Sequence, residues 1–145
     1  MRASFRLQVT VSDLVIFDTS IFIDHLHAGL HENKIQSIAG LIRTSSVVLA
    51  ELWRGAAKSA EREFLRVLGK NHIVLAPTEN NWLDSGQVLG KIRTDHGFMP
   101  GKLRDLHFDV LIALTARSCG GRLITSNRTD FELIHSYRKF ELEIW

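Results

Sequence analysis

A run of four apolar, β-prone residues, Leu14-Val15-Ile16-Phe17, stops at Asp18-Thr19-Ser20, and apolar residues resume at helical spacing with Ile21, Phe22 and Leu26. A short strand without polar alternation has both faces buried, as strands do in a parallel sheet covered by helices. The Asp-Thr-Ser turn supplies a cap for the helix that follows. His72-Ile73-Val74-Leu75-Ala76 and Leu123-Ile124-Thr125 repeat the buried-strand signal, and 139–144 alternates like a half-exposed edge strand.

Helical spacing fills the intervals. Ile35, Ile38, Leu41 and Ile42 predict a helix over 34–42, with a connector over 43–45. Ser46 is the expected cap of a helix through Val47, Val48, Leu49, Leu52 and Trp53, which Gly55 bends or interrupts before a segment from Ala56 to Leu68. A helix is expected from Glu79 to Arg93, a loop over 97–102 around Pro100-Gly101, and the clearest helix from Asp105 to Ser118, closed by Cys119-Gly120-Gly121. Parallel strands need crossover connections, so the fold class is α/β: a three-layer α/β/α arrangement with a central, mainly parallel sheet.

A chain of 145 residues is long enough for one core and short for two. Residues 14–145 form the expected single domain. Residues 1–13 read as an N-terminal extension or extra strand, because Phe5, Leu7, Val9 and Val11 alternate with polar residues; this outweighs the transit-peptide character of Arg2 and Arg6. An apolar fraction of 45%, a charged fraction of 23% and only two prolines argue against extended disorder. The net charge of +2 is too small to announce nucleic-acid binding by bulk electrostatics.

The lone Cys119 excludes an intramolecular disulfide and fits a reducing, cytoplasmic setting. With no CxxC pair, and with His25, His27 and His31 outside any zinc-ligand spacing, a metal would be held by oxygen. No apolar run reaches the roughly 18 residues of a membrane span.

Ligands of parallel sheets gather where strand carboxyl ends meet helix starts, which draws attention to Asp18 and to Asn127 with Asp130. Glu51 and Asp109 interrupt core-like sequence in Val-Val-Leu-Ala-Glu-Leu-Trp and His-Phe-Asp-Val-Leu-Ile-Ala-Leu. Carboxylates brought together near a core repel unless they are protonated or neutralised by a cation. A hard divalent ion, Mg²⁺ or Mn²⁺, resolves that conflict and leaves positions open for substrate phosphates, so phosphodiester hydrolysis is the reaction such a pocket suits. Thr19 and Ser20, at a helix start with free N–H groups, are candidate supporting donors. Structural roles compete: Glu51 can pair with Arg54, and Asp109 with Arg104. His107 is a candidate proton shuttle or phosphate contact, or a plain surface residue; Trp53 and Trp82 read as core or interface. Arg54, Lys58, Arg62, Lys91, Arg93, Lys102, Arg104, Arg117 and Arg128 are scattered candidates for an RNA path or solvated helix faces.

The segments Val15-Ile-Phe-Asp18-Thr-Ser-Ile-Phe-Ile-Asp24, Ser46-Val-Val-Leu-Ala-Glu51-Leu-Trp-Arg-Gly55, Phe108-Asp109-Val-Leu-Ile-Ala-Leu-Thr-Ala116 and Leu123-Ile-Thr-Ser-Asn127-Arg-Thr-Asp130-Phe131 resemble, in order, the four motifs of PIN-domain proteins, and the chain's length resembles the VapC toxins within that family. The resemblance implies an acidic pocket for Mg²⁺ or Mn²⁺ and an endoribonuclease acting on RNA. It also implies a small cognate antitoxin protein as partner and a homodimer. It aligns Asp18, Glu51 and Asp109 with the first three family acids, Asp18 and Asp109 leading as direct metal ligands with Glu51 beside them; Thr125, which ends its strand, joins Thr19 and Ser20 as a candidate supporting residue. The fourth acid departs from the family: Asn127 stands at its position, so either the Asn127 carbonyl oxygen or Asp130 completes the site. Alternatives of other classes are a catalytically weak or inactive binding module of the same fold, an RNA-processing nuclease outside any toxin system, and a phosphoacceptor signalling domain. The last lacks a paired acid beside Asp18, since Thr19 stands there.

Overall fold

The computed structural model describes residues 14–145, so the expected extra strand at the N-terminus lies outside the described residues. In chain order the elements are β1 (Leu14–Phe17), α1 (Thr19–Ala28), α2 (Glu32–Gln36), β2 (Leu41–Ser45), α3 (Ser46–Gly55), α4 (Ser59–Asn71) and β3 (Val74–Leu75). They continue with α5 (Glu79–His96), α6 (Pro100–Cys119), β4 (Arg122–Thr125), α7 (Arg128–Tyr137) and β5 (Glu141–Ile144). The five strands form one sheet in the order β3-β2-β1-β4-β5, and every pairing is parallel, which is stricter than the mainly parallel sheet expected.

From β1 the chain steps outward through β2 to β3, then crosses back to β4 on the other side of β1 and steps outward again to β5. Right-handed crossovers in opposite directions put the helices on opposite faces of the sheet, which makes three layers. The reversal falls between β1 and β4, the switch point at which open α/β sheets present their ligand crevice. There the Asp18 N–H donates to the Ile124 carbonyl at 2.9 Å.

The core explains the long helix. Val110 to Ala116 of α6 are buried at every position, for about two turns, because α6 packs on α5, α7, α3 and β4. Val15 and Ile16 of β1 and Leu123 and Ile124 of β4 are fully buried beside it, as are Phe131 and Ile134 of α7. Gly120, at φ +70°, caps α6 in the left-handed region. No helix among the described residues is long and apolar enough to cross a membrane.

Four local expectations are corrected. Residues 41–45, read as a helix end and connector, are β2, paired with β1 through Leu14↔Leu41 and Ile16↔Arg43. The helix implied by Ile35 and Ile38 ends at Gln36, and Gly40, at φ +149°, redirects the chain into the strand. Ser45, not Ser46, caps α3, its Oγ accepting from the Val47 and Val48 N–H groups at 3.1 and 3.3 Å. The expected loop over 97–102 contains the start of α6, where Pro100 takes the first helical turn, a place that needs no N–H partner.

Candidate active site

Asp18 follows β1 and caps α1, and it is 2% exposed. Its Oδ2 accepts from Ser20 Oγ at 2.8 Å, Thr125 Oγ1 at 2.8 Å and the Ser20 N–H at 3.3 Å. Its Oδ1 is equally buried and has no hydrogen-bond partner. Burial pushes the Asp18 carboxyl above its usual range, against the pull of the Ser20 and Thr125 bonds. A carboxylate gripped by one oxygen and bare at the other is oriented without being neutralised.

The grip is part of a hydroxyl network joining α1 to the end of β4. Ser20 Oγ accepts the Ser126 N–H at 3.1 Å, Thr125 Oγ1 accepts the Asn127 N–H at 2.9 Å, and Ser126 Oγ donates to Asp24 Oδ2 at 3.0 Å. Asp24, present in the first motif but carrying no expected role, also meets His31 Nε2 at 3.1 Å. A run of Ser and Thr after two neighbouring parallel strands was the available signal.

Glu51 reaches the same place from the middle of α3, where Thr19 Oγ1 donates to its Oε1 at 2.6 Å. Its carboxyl is raised by burial, lowered by the Thr19 bond and raised again by the charge of Asp18. Asp109, on α6, is pushed up to about 8, first by burial and then by the charges of Asp18, Glu51 and Asp130, with Lys102 opposing. The three acids named first from the sequence thus share one field, as does Asp130. Among the described residues no three His, Cys, Asp or Glu side chains stand close enough together to hold a metal ion as they are placed; mutual repulsion, not contact, links these acids.

The fourth position is built differently. Asn127 caps α7, its Oδ1 accepting the Asp130 N–H at 3.4 Å while its Nδ2 donates to Asp130 Oδ2 at 3.2 Å. Lys102 Nζ holds the other oxygen, Oδ1, at 2.9 Å. Lys102 was one of many scattered bases in the sequence. It stands seven residues before Asp109, two helical turns along the same face, a relation hidden while 97–102 was read as loop.

Outside the acids opens a cavity of about 630 Å³ lined by Glu51, Arg54, Arg104, Asp105, His107, Phe108 and Asp109. The Arg54 guanidinium lies over the Phe108 ring, 5.7 Å from its centre. His107 is tied to α5, with Nε2 3.0 Å from Ser85 Oγ and its ring edge-on to Trp82. Trp53 and Trp82, expected in a core or interface, are 40% and 50% exposed. The donor set is all hard oxygen and includes a buried oxygen with no partner, which fits Mg²⁺ or Mn²⁺ better than a soft ion.

The fold has many solved relatives. VapBC-1 from nontypeable Haemophilus influenzae superposes with a TM-score of 0.67 at 21% identity, covering 91% of this chain and 98% of that one. DNA-bound VapBC from Salmonella typhimurium gives 0.63 at 23% identity, covering 94% and 99%. A toxin-antitoxin complex from Klebsiella pneumoniae gives 0.54 at 25% identity, covering 81% and 89%. No curated protein matches the chain. The family model described as PIN domain matches residues 15–135, a stretch that opens inside β1, ends inside α7 and includes Asp18, Glu51, Asp109 and Asp130. The chain therefore belongs to the PIN-domain family.

Proposed function

We propose that this protein is a divalent-metal-dependent endoribonuclease that hydrolyses RNA phosphodiester bonds and serves as the toxin of a type II toxin-antitoxin pair. The observation that carries the reading is the convergence of Asp18, Glu51 and Asp109 from β1, α3 and α6 into one electrostatic unit beside an open cavity. A pocket that raises its own carboxyls this far is poised for a cation, because a bound cation reverses the repulsion. Asp18, through its bare Oδ1, and Asp109 would hold Mg²⁺ or Mn²⁺, with Glu51 beside them.

Bound there, the ion supplies Lewis acidity toward the phosphoryl oxygens and toward an attacking water. The residues of this chain do the positioning. Ser20 and Thr125 fix the rotamer of Asp18, and Thr19 fixes that of Glu51. In the hydrolysis, the water oxygen bonds to phosphorus, one ester P–O bond breaks with its electron pair leaving on the ester oxygen, and that oxygen ends protonated. Arg54 and Arg104, on the cavity wall, offer the phosphate backbone its binding partners.

The toxin role, and with it a small antitoxin as partner, draws on the likeness to structures named VapBC and toxin-antitoxin complex; the homodimer rests on the family resemblance of the motifs. Trp82, Leu83 and Met99 are half or more exposed and are available for such contacts. One observation favours the second reading, a catalytically weak binding module: the fourth position carries a neutral Asn127 and an Asp130 already paired with Lys102.

Incubating the purified chain with total RNA separates the two readings. The nuclease cleaves with Mg²⁺ or Mn²⁺ and stops with a chelator, and Asp18→Asn or Asp109→Asn lowers cleavage at least about a hundredfold with circular dichroism unchanged. Cleavage indifferent to chelation, or retained by both variants, would sink the proposal.

A further inference from the structure

The nuclease reading leaves the number of ions open, and the side chains around Asp130 bear on it. Asp130 spends both oxygens on donors, Lys102 Nζ on one and Asn127 Nδ2 on the other. The Asn127 carbonyl oxygen is spent on the cap of α7. On this side, then, no oxygen stands idle, whereas the buried Asp18 Oδ1 does.

Charge points the same way. The side chains whose fields bear on Asp109 are Asp18, Glu51, Asp130 and Lys102. Once a cation displaces the proton held at Asp109, four carboxylates against one ammonium leave three negative charges. A single divalent ion reduces these to one, whereas two ions would turn the group positive, with Arg54 and Arg104 adding to the excess from the cavity wall. Lys102 is also the more open member of its pair: its side chain is 40% exposed and that of Asp130 is 19% exposed.

Resting on the nuclease reading, we infer that the pocket takes one divalent cation, on the Asp18, Glu51 and Asp109 side, and that the Lys102 ammonium replaces a second cation on the Asp130 side, where it contacts the phosphate under attack. The Lys102 ammonium offsets the negative charge that builds on the phosphoryl group as the ester bond breaks, a role that cations and ammonium groups share in phosphoryl transfer. Asp130 and Asn127 hold the ammonium in place, so the neutral Asn127 belongs to a one-ion design and is not a lost ligand.

Calorimetric titration of Mn²⁺ into the metal-stripped full chain, run beside cleavage of total RNA, tests this. The native chain should bind one ion. Lys102→Met should bind that ion about fivefold more tightly, because a neighbouring positive charge is gone, yet cleave about a hundredfold more slowly. Lys102→Arg should keep one ion and recover most of the cleavage. Opposite movement of affinity and rate is the signature, since a misfolded or merely loosened pocket weakens both. Two ions in the native chain, affinity and cleavage falling together in Lys102→Met, or native cleavage in that variant would each overturn the inference. A native chain that binds no ion would overturn the nuclease reading along with it.

Discussion

Two acids lie just beyond neighbouring parallel strands, Asp18 after β1 and Asp130 after β4, and the structure treats them in opposite ways. Asp18 is met by neutral donors, the Ser20 and Thr125 hydroxyls and the Ser20 N–H gathering on one oxygen. Asp130 is met on both oxygens, once by an ammonium. Neutral donors set direction and leave the charge; a lysine cancels it. The pocket therefore has a cation-demanding end and a self-compensated end, about the β1–β4 reversal of the sheet. The demand shows at Asp109 as well, whose carboxyl is pushed up to about 8.

The sharpest way to break the contrast is to loosen the demanding end. Thr125 is fully buried, donates to Asp18, accepts from the Asn127 N–H and lies 3.1 Å from Ser20 Oγ, so Thr125→Val keeps the shape and removes all three contacts. Losing an orienting partner of a metal ligand is expected to weaken Mn²⁺ binding by about 10- to 100-fold, read by calorimetry. Native affinity in a folded Thr125→Val protein would mean that the hydroxyl does not orient Asp18.

A smaller effect tests the repulsion itself. Because the folded-state value of Asp109 lies above the ordinary 3.8, the folded chain holds a proton that the unfolded chain has released. The metal-free protein should therefore lose stability as the pH rises from about 4 to about 8. Asp109→Asn removes that penalty and should make the metal-free chain more stable at pH 8 by about 1–2 kcal/mol, a value well short of the full shift because neighbouring acids relax. Urea denaturation at pH 5 and pH 8 in chelator checks it, and equal pH slopes for the two proteins would remove the electrostatic account.

The demanding end was legible in the sequence and the compensated end was not, for a physical reason. Asp18, Glu51 and Asp109 each interrupt an apolar run, and a charge in a core context stands out whatever the fold. β1, β4 and most of α6 were legible for the same reason, being apolar without alternation. β2 was obscured because Leu41 and Ile42 continue the three-to-four spacing of Ile35 and Ile38, and because only its last two residues are buried. Lys102 was obscured by Pro100-Gly101, which reads as a loop until the proline is seen to start a helix. Trp53 and Trp82 fit helical spacing, yet spacing alone does not say which stripe faces the core. Pairing between residues as far apart as Lys102 and Asp130 is set by packing of α6 on α7, which no local pattern encodes.

The mildest substitution would make the two ends alike. Asp caps a helix about as well as Asn, so Asn127→Asp should leave α7 intact. It trades the Nδ2 bond to Asp130 for a second carboxylate beside it, and the metal-free protein should lose about 0.5 kcal/mol at pH 8, within the range of a mild surface change. Mn²⁺ should return that loss and more, because the added charge makes the compensated end attractive to a cation despite Lys102. Thermal melts with and without Mn²⁺, paired with calorimetric stoichiometry, read both effects. A second bound ion would show that one missing charge at position 127 keeps the ends distinct; a stoichiometry still at one would assign that distinction to Lys102 alone.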